Sequence, residues 1–303
     1  MNESSRQLAI IGPTASGKSE LAIEIAEKID GIILSLDSLA LYREIDIASA
    51  KPSPEERGTI PHFGIDIRSP DEAFDVTLFA DLYRETLALA EEKRKRLIIV
   101  GGTSFYLKIL MDGISILPNI DKATAAKVRK AMEEREEAYR MLSALDPVYM
   151  EKIPAGDSYR IEKALGLFYL TGKAPSDYFR AHPPQPLIRN RLPIYRIVVE
   201  KSLLRERIVS RTAGMLHAGL IDEVASLEKR YTRLPGPMKA IGIRETLDFL
   251  DGQYDRGVLA EKIVTHTARL AKRQNTFNTS QFDDHPALDR EKLRKKILGD
   301  YGI

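Results

Sequence analysis

The chain has 303 residues, of which 43% are hydrophobic and 30% charged, and a formal net charge of +2 at pH 7. This is ordinary globular composition, and the length suits one large domain or two smaller ones. The chain has no cysteine, which excludes disulfides and thiolate metal sites. We find neither a membrane-spanning apolar stretch nor a signal-peptide pattern, and we expect a cytoplasmic monomer with no membrane partner.

The first third of the chain alternates short apolar runs with amphipathic segments. Residues 8–11 predict a buried parallel strand, and apolar residues at helical spacing predict a helix over 19–29. Further strands are expected at 32–36 and 97–100, with a helix over about 78–93 between them. This alternation predicts an α/β fold with a P-loop NTPase-like parallel sheet.

The pattern changes after the strand at 97–100. Residues 121–177 are charged and helix-forming, without a clear strand, and strand character returns only at 194–199. We therefore predict a catalytic core of residues 1–118 and 191–303, interrupted by a helical insertion domain at 119–190. Helices are predicted at 123–145, 159–170, 203–216, 221–230 and 258–274, and the basic residues 292–296 are predicted to be a solvated helix end.

The strongest motif is GPTASGKS at residues 12–19, between the first predicted strand and the first predicted helix, and we call it the P-loop motif. Its glycines let backbone N–H groups point at phosphate oxygens, and the helix N-terminus adds its dipole. Taken alone, it suggests a nucleotide such as ATP, with the serine hydroxyl bound to Mg²⁺. The candidate phosphate-binding residues are Gly12, Thr14, Ala15, Ser16, Gly17, Lys18 and Ser19, with Ser19 as the metal ligand.

A carboxylate follows the second predicted strand at Asp37, on the same sheet edge as the P-loop motif. It suits a general base or an outer-sphere Mg²⁺ partner, and equally a helix N-cap. The strand at 97–100 ends in Gly-Gly-Thr rather than a Walker-B carboxylate, and no Asn-Lys-x-Asp sequence is present for guanine recognition. Ordinary nucleotide hydrolysis is therefore disfavoured.

Together, six segments resemble the bacterial tRNA dimethylallyltransferases. They are GPTASGKS at 12–19, DSLALY at 37–42, DIASAKP at 46–52, PHFGID at 61–66, GGTSFY at 101–106 and LAKRQ at 270–274. The resemblance runs in order from residue 8 to about 277. It implies transfer of a dimethylallyl group from dimethylallyl diphosphate to N6 of the adenosine on the 3′ side of the anticodon, in tRNAs that read codons beginning with U.

The resemblance also implies roles for individual residues. Asp37 is the expected general base, and Thr103 is expected near the reacting atoms, although a helix cap is its alternative. The P-loop motif then holds the leaving diphosphate together with Arg211, which shares a helix face with Arg207.

The implied partner is the tRNA anticodon stem-loop, with its target base turned out of the stack and the insertion domain on the stem. From the residues alone, segments 159–163 and 239–244 are better interpreted as solvated helix faces. The expected tRNA contacts are Asp37, Ser38, Leu39, Ala40, Thr103, Arg129, Tyr159, Arg160, Ile161, Glu162, Lys163, Lys239, Ala240, Ile241, Gly242, Ile243, Arg244, Lys272, Arg273 and Gln274.

Some positions depart from the family pattern. Ala40 stands where glutamine is common, Phe63 replaces a second histidine, and Phe277 and Thr279 replace a tryptophan and an arginine. Two alternatives remain open on the residues alone. One is a P-loop kinase of a nucleotide or another small molecule, and the other is a non-catalytic nucleic-acid-binding P-loop module.

Overall fold

The computed structural model describes residues 6–113, 115, 117–282 and 284–303. These residues form two compact units. The first, which we call the core unit, comprises Met1–Lys108 and Ile188–Ile303, and the second, the helical unit, comprises Ile109–Leu187. The helical unit contains most of the predicted insertion at 119–190, but it begins earlier in the chain.

A parallel sheet of six strands lies in the core unit, in the order β3-β2-β4-β1-β5-β6, and the strand pairings of the described residues are parallel. The predicted α/β class is confirmed. Four strands lie within two residues of their predicted bounds, whereas β3 and β6 are too short to produce a periodic pattern. The strands are β1 (Gln7–Ile11), β2 (Gly31–Ser35), β3 (His62–Phe63), β4 (Arg96–Gly101), β5 (Ile194–Ile197) and β6 (Ala287–Leu288).

The described residues also form α-helices along the whole chain, together with a short 3-10 helix at Gly236–Lys239. None of these helices is both long enough and apolar enough to cross a membrane. The helices are α1 (Lys18–Ile29), α2 (Pro54–Arg57), α3 (Val76–Glu92), α4 (Ser104–Asp112), α5 (Lys122–Glu133), α6 (Arg135–Leu145), α7 (Pro147–Met150), α8 (Ser158–Thr171), α9 (Pro175–Ala181), α10 (Lys201–His217), α11 (Leu220–Tyr231), α12 (Ile243–Leu250), α13 (Arg256–Gln281) and α14 (Arg290–Asp300).

The main core of the core unit packs α1 and α14 against the sheet. Leu21 and Ile25 of α1 are fully buried with Ile10 of β1, as their helical spacing predicts. Leu293 and Ile297 of α14 enter the same cluster. The lysines at 292, 295 and 296 are exposed in a helix, as predicted, but the segment is not a helix end, because it lies inside α14, whose apolar face is buried.

The helical unit has its own core, formed mainly by α5, α6 and α8. The single helix predicted over 123–145 is two helices that meet at Glu134, where φ is −110° and ψ is 61°. The change of direction lets Val128 of α5 and Leu142 of α6 both enter this core, together with Leu165 of α8. Helical periodicity is nearly continuous through Glu134, so the sequence does not reveal the break.

Candidate active site

Three of the predicted site segments leave the sheet at neighbouring strand ends. β1 leads into Gly12, β2 into Asp37 and β4 into Thr103, and β4 lies between the other two strands. The backbone N–H of Leu36 donates to Val100 O over 2.7 Å, and the N–H of Thr103 donates to Leu36 O over 3.0 Å. Ligands of open α/β sheets bind at such carboxyl edges.

Close approach to Leu36 requires a glycine at position 101, and the glycine at position 102 makes room for the Gln274 side chain. A Cβ on Gly101 would lie 2.6 Å from the Cβ of Leu36, and one on Gly102 would lie 2.4 Å from Nε2 of Gln274. Both distances are far shorter than an ordinary carbon contact. The Gly-Gly pair therefore lets the β4 edge pack directly against the chain on either side of it.

The P-loop motif has the backbone that its glycines allow. Gly17 has φ of 82°, Ala15 also has a positive φ of 61°, and α1 begins at Lys18. The ammonium of Lys18 donates to Pro13 O over 3.2 Å. The Ser16 hydroxyl is buried and accepts or donates no hydrogen bond within the described residues. A ligand with several acceptor oxygens would satisfy these groups.

The charge on Lys18 is poorly stabilised without an anion. Burial lowers the pKa of its ammonium from 10.5 to about 8, Asp37 opposes this shift, and Arg211 adds to it. Desolvation disfavours the charged form of a lysine, and a bound anion would restore it. The site is thus electrostatically prepared for a negatively charged ligand.

Asp37 carries both features that its position suggests. Its Oδ1 accepts hydrogen bonds from the N–H groups of Leu39 at 2.9 Å and Ala40 at 3.2 Å. It therefore caps the turn after β2, not a helix. Among the described residues, none donates to Oδ2, and Asp37 lines the cavity described below. One carboxylate oxygen orients the side chain, and the other is available for proton transfer.

Arg211 of α10 contacts the P-loop motif, and it does so from the helix face that it shares with Arg207. Its Nη1 donates to Oγ1 of Thr14 over 3.1 Å, and its Nη2 donates to Ser49 O over 3.3 Å. Arg207, one turn earlier, donates to Ser16 O over 3.5 Å. Burial lowers the pKa of the Arg211 guanidinium, and Asp37 opposes that shift. Lys18 and Arg211 therefore place two positive charges at the P-loop motif.

Gln274 joins two predicted site segments. Its Oε1 accepts from the N–H of Thr14 at 2.8 Å, and its Nε2 donates to Gly102 O over 3.1 Å. Gln274 is predicted to contact tRNA together with Lys272 and Arg273. Lys272 and Arg273 are exposed, whereas Gln274 lies in the cavity wall.

These residues line a cavity of about 240 Å³ in the core unit. Its polar lining includes Lys18, Ser19, Asp37, Thr103 and Arg211. Among the described residues, no hydrogen bond links the Thr103 hydroxyl to Asp37. The cavity combines this polar lining with apolar groups, which suits a charged ester with a small hydrocarbon group. The apolar lining includes Ala48, Ile208, Met215, Ile241, Ile263 and Leu270.

The oxygen atoms that line the cavity suit a Mg²⁺ ion that is bound partly by the protein and partly by the phosphates of the substrate. The described residues contain no cluster of three or more His, Asp or Glu side chains able to hold a metal by themselves. Mg²⁺ often binds instead through one or two protein oxygens, water and substrate phosphates. The Ser19 hydroxyl and the Asp37 carboxylate line the same cavity and supply such oxygens.

The expected tRNA contacts divide by exposure. Ala40, Thr103, Ala240 and Ile241 line the cavity together with Ser38 and Leu39. Ile161 and Ile243 are fully buried in hydrophobic clusters, and Gly242 is buried with φ of 93°. In the segments at 159–163 and 239–244, the side chains accessible to a partner are therefore those of the exposed residues. The exposed residues are Ser38, Arg129, Tyr159, Arg160, Glu162, Lys163, Lys239, Arg244, Lys272 and Arg273.

Two charged residues of the site region are not identified by the sequence analysis. Lys51, whose side chain is 5% exposed, donates to Tyr42 O over 2.9 Å and forms ion pairs with Asp46 and Asp66. Glu223 of α11 accepts three backbone hydrogen bonds from the segment at 46–48. Lys51 lies in a quoted motif, whereas no local pattern distinguishes Glu223 from other acidic residues on exposed helices.

Comparisons with known proteins agree on one family. The IPP transferase family matches residues 40–281. The tRNA dimethylallyltransferase of Sulfurovum sp. (strain NBC37-1) is 56% identical over 298 residues, covering 98% of this chain and 99% of its own length.

Two solved structures are similar along nearly the whole chain. The full-length tRNA isopentenylpyrophosphate transferase of Bacillus halodurans has 28% identity and a TM-score of 0.70, covering 98% of this chain and 95% of its own. A eukaryotic dimethylallyltransferase acting on tRNA shares the fold, with a TM-score of 0.82 at 24% identity, covering 94% of this chain and 74% of its own. The family match and the high identity over the full length show that this chain belongs to the IPP transferase family.

Proposed function

We propose that this protein is a tRNA dimethylallyltransferase. It transfers the dimethylallyl group of dimethylallyl diphosphate to N6 of the adenosine on the 3′ side of the anticodon, in tRNAs that read codons beginning with U. The observation that carries the proposal is the meeting of Lys18, Arg211 and Asp37 at one cavity with both polar and apolar lining. The named relatives support this activity over a P-loop kinase.

The donor's diphosphate binds at the P-loop motif. Lys18 and Arg211 neutralise its charge, and backbone N–H groups of the motif with the dipole of α1 add further donors. The Ser19 hydroxyl would hold Mg²⁺ in the cavity that the Asp37 carboxylate also lines, and the ion would add to the neutralisation of the leaving group's charge. The apolar lining of the cavity accepts the dimethylallyl group.

The transfer replaces the C1–O bond with an N6–C1 bond and moves one proton from N6 to Asp37. The N6 lone pair of adenine attacks C1 of the allyl group, and the C1–O bond breaks so that diphosphate leaves with the electron pair. Asp37 takes the N6 proton through Oδ2, while Oδ1 remains bonded to the turn at 39–40. The cationic residues around the P-loop motif stabilise the charge that develops on the diphosphate.

Recognition of tRNA uses the exposed residues of both units. Arg129, Arg160 and Lys163 of the helical unit contact the phosphates of the anticodon stem, and Lys239, Arg244, Lys272 and Arg273 of the core unit contact the loop. Phosphate contacts of this kind position the RNA without reading its sequence. The protein acts as a cytoplasmic monomer.

The test uses the purified protein with Mg²⁺, radiolabelled dimethylallyl diphosphate and an unmodified tRNA that reads codons beginning with U. We expect label in the tRNA at the adenosine 3′ to the anticodon, and none when that adenosine is replaced by guanosine, whose C6 carries an oxygen instead of an amine. Absence of labelled tRNA, together with transfer of label from radiolabelled ATP to a small acceptor in a parallel reaction, would support the kinase alternative instead.

A further inference from the structure

The segment at 46–51 belongs to neither a helix nor a strand, and its residues 48–51 line the cavity. The carboxylate of Glu223, in the first turn of α11, accepts hydrogen bonds from three consecutive backbone N–H groups of this segment. Oε2 accepts from Asp46 at 3.0 Å and from Ile47 at 2.7 Å, and Oε1 accepts from Ala48 at 2.9 Å. One side chain therefore satisfies the backbone donors of half of this irregular segment.

A carboxylate is well suited to this position. An ionised glutamate only accepts hydrogen bonds, and its two oxygens together provide enough lone pairs for three N–H groups. A glutamine has the same shape, but one of its oxygens is replaced by an NH₂ group that would face a backbone N–H. Ile45 and Ala48 are buried in one cluster with Leu220 and Val224 of α11, so Glu223 extends from a packed support.

Ser49, which follows the three residues that donate to Glu223, connects the segment at 46–51 to the P-loop motif. Ser49 O accepts from Nη2 of Arg211 at 3.3 Å, while Nη1 of the same guanidinium donates to Oγ1 of Thr14. At the C-terminal end of the segment, the Lys51 ammonium donates to Tyr42 O and forms ion pairs with Asp46 and Asp66. A chain of direct contacts thus runs from Glu223 through residues 46–49 to Arg211 and Thr14.

We infer that Glu223 is a positioning residue for the diphosphate-binding site, which acts by holding Ser49 O where it orients the partly buried guanidinium of Arg211. The inference rests on the proposed function only for the identity of the diphosphate ester. An arginine that is held in place before the anion arrives loses less side-chain entropy on binding. If residues 46–49 were free to move, Arg211 would lose an acceptor and would have to be ordered by the ligand itself.

The experiment compares Glu223→Gln with Asp222→Asn. The control removes the same charge from the same helix turn, but Asp222 is exposed and makes no contact with residues 46–51 among the described hydrogen bonds. The probe is inorganic diphosphate with Mg²⁺, measured by titration calorimetry. We expect about tenfold weaker binding for Glu223→Gln, the loss of roughly one charge-assisted hydrogen bond, and less than a twofold change for Asp222→Asn. Wild-type affinity in Glu223→Gln would overturn the inference.

A double-mutant cycle separates positioning from a general structural role. If Glu223 acts through Arg211, then Glu223→Gln in an Arg211→Ala background weakens binding by less than twofold. Equal losses in both backgrounds would mean that Glu223 does not act through Arg211, and would overturn the inference. In the transferase assay, we expect Glu223→Gln to raise KM for the donor about tenfold with little change in kcat.

Two further measurements keep the inference independent of folding and of the proposed function. In the wild-type protein, hydrogen exchange at the amides of 46–48 is expected to be slow, and exchange as fast as in a free loop would overturn the inference even if Glu223→Gln does not fold. Inorganic diphosphate binding does not require prenyl transfer. If the wild-type protein transfers no dimethylallyl group but Glu223→Gln still loses diphosphate affinity, the proposed function fails and the positioning role stands.

Discussion

The cationic residues of the core-unit cavity and those of the helical unit are held in different ways. In the cavity, Lys18 and Arg211 are partly buried and hydrogen-bonded to backbone and side-chain oxygens. In the helical unit, Arg160 forms an exposed ion pair with Asp157 at 3.4 Å, and the ammonium of Lys163 lies 5.5 Å from the ring centroid of Tyr159. The cavity therefore fixes charges that are largely removed from water, whereas the helical unit leaves its charges solvated.

This difference matches the two ligands of the proposed reaction. A small diphosphate gains most from charges that are already desolvated and oriented, because their interaction is strong where water is excluded. An RNA stem gains from many exposed cations that replace its counterions, and each contributes little by itself.

The largest effect is expected from Asp37→Asn. The amide oxygen can still accept from the N–H groups of Leu39 and Ala40, so the turn is retained, but the side chain can no longer take a proton. The chemical rate should fall about 10²-fold or more, while tRNA binding is unchanged. Single-turnover kinetics with labelled donor measure the rate, and filter binding measures the affinity. Undiminished turnover would reduce Asp37 to a turn cap.

Arg211→Ala should weaken use of the donor about tenfold or more, since it removes a buried charge-assisted contact with the diphosphate. The measurement is KM for dimethylallyl diphosphate, with the dissociation constant for tRNA as the internal comparison. Arg205→Ala is the matched control, because Arg205 is exposed on the same helix and has no contact with the P-loop motif among the described hydrogen bonds. Equal effects of the two variants would contradict the assigned contact.

The lowered pKa of Lys18 predicts that the affinity for diphosphate depends on pH. The pKa of its ammonium is about 8 without ligand, and a bound anion must raise it. Below pH 8 the lysine is already charged, whereas above it binding must take up a proton. Affinity should therefore fall as pH rises from about 8, by up to tenfold per pH unit.

Calorimetry at pH 8.5 in two buffers of different ionisation enthalpy measures the proton uptake that this linkage requires. Lys18→Arg is the control, since arginine stays charged throughout this range and leaves only the ionisation of the ligand itself. Identical pH profiles for the two proteins would exclude Lys18 as the source of the dependence.

The smallest effects are expected in the helical unit. Arg160→Ala and Lys163→Ala should each weaken tRNA binding only a few-fold and reduce its salt dependence by about one counterion, with KM for the donor unchanged. Filter binding over a range of salt concentrations measures both quantities. Glu162→Gln is the matched control, because it removes an exposed negative charge between the two cations and should not weaken tRNA binding. A change in donor KM would break the contrast between the two regions.

The local elements follow from the sequence to the extent that their patterns are local. The strands at 8–11 and 97–100 and the helix at 19–29 are marked by continuous or periodic apolar residues, and their observed bounds differ by one or two residues. The break at Glu134 and the short strands β3 and β6 have no comparable pattern. The buried face of α14 is masked by its basic residues.

The P-loop motif, the position of Asp37 on the same sheet edge and the family resemblance could be predicted from the sequence, because they depend on short motifs and their order. The resemblance also implies Arg211 and Thr103 at the site, but the contacts that hold the site together are seen only in the tertiary structure. Arg211 reaches Thr14 across 197 positions, Gln274 reaches it across 260, and Glu223 supports Ile47 across 176. Contacts between residues so far apart depend on how helices pack against the sheet, and local residue spacing carries no record of that packing.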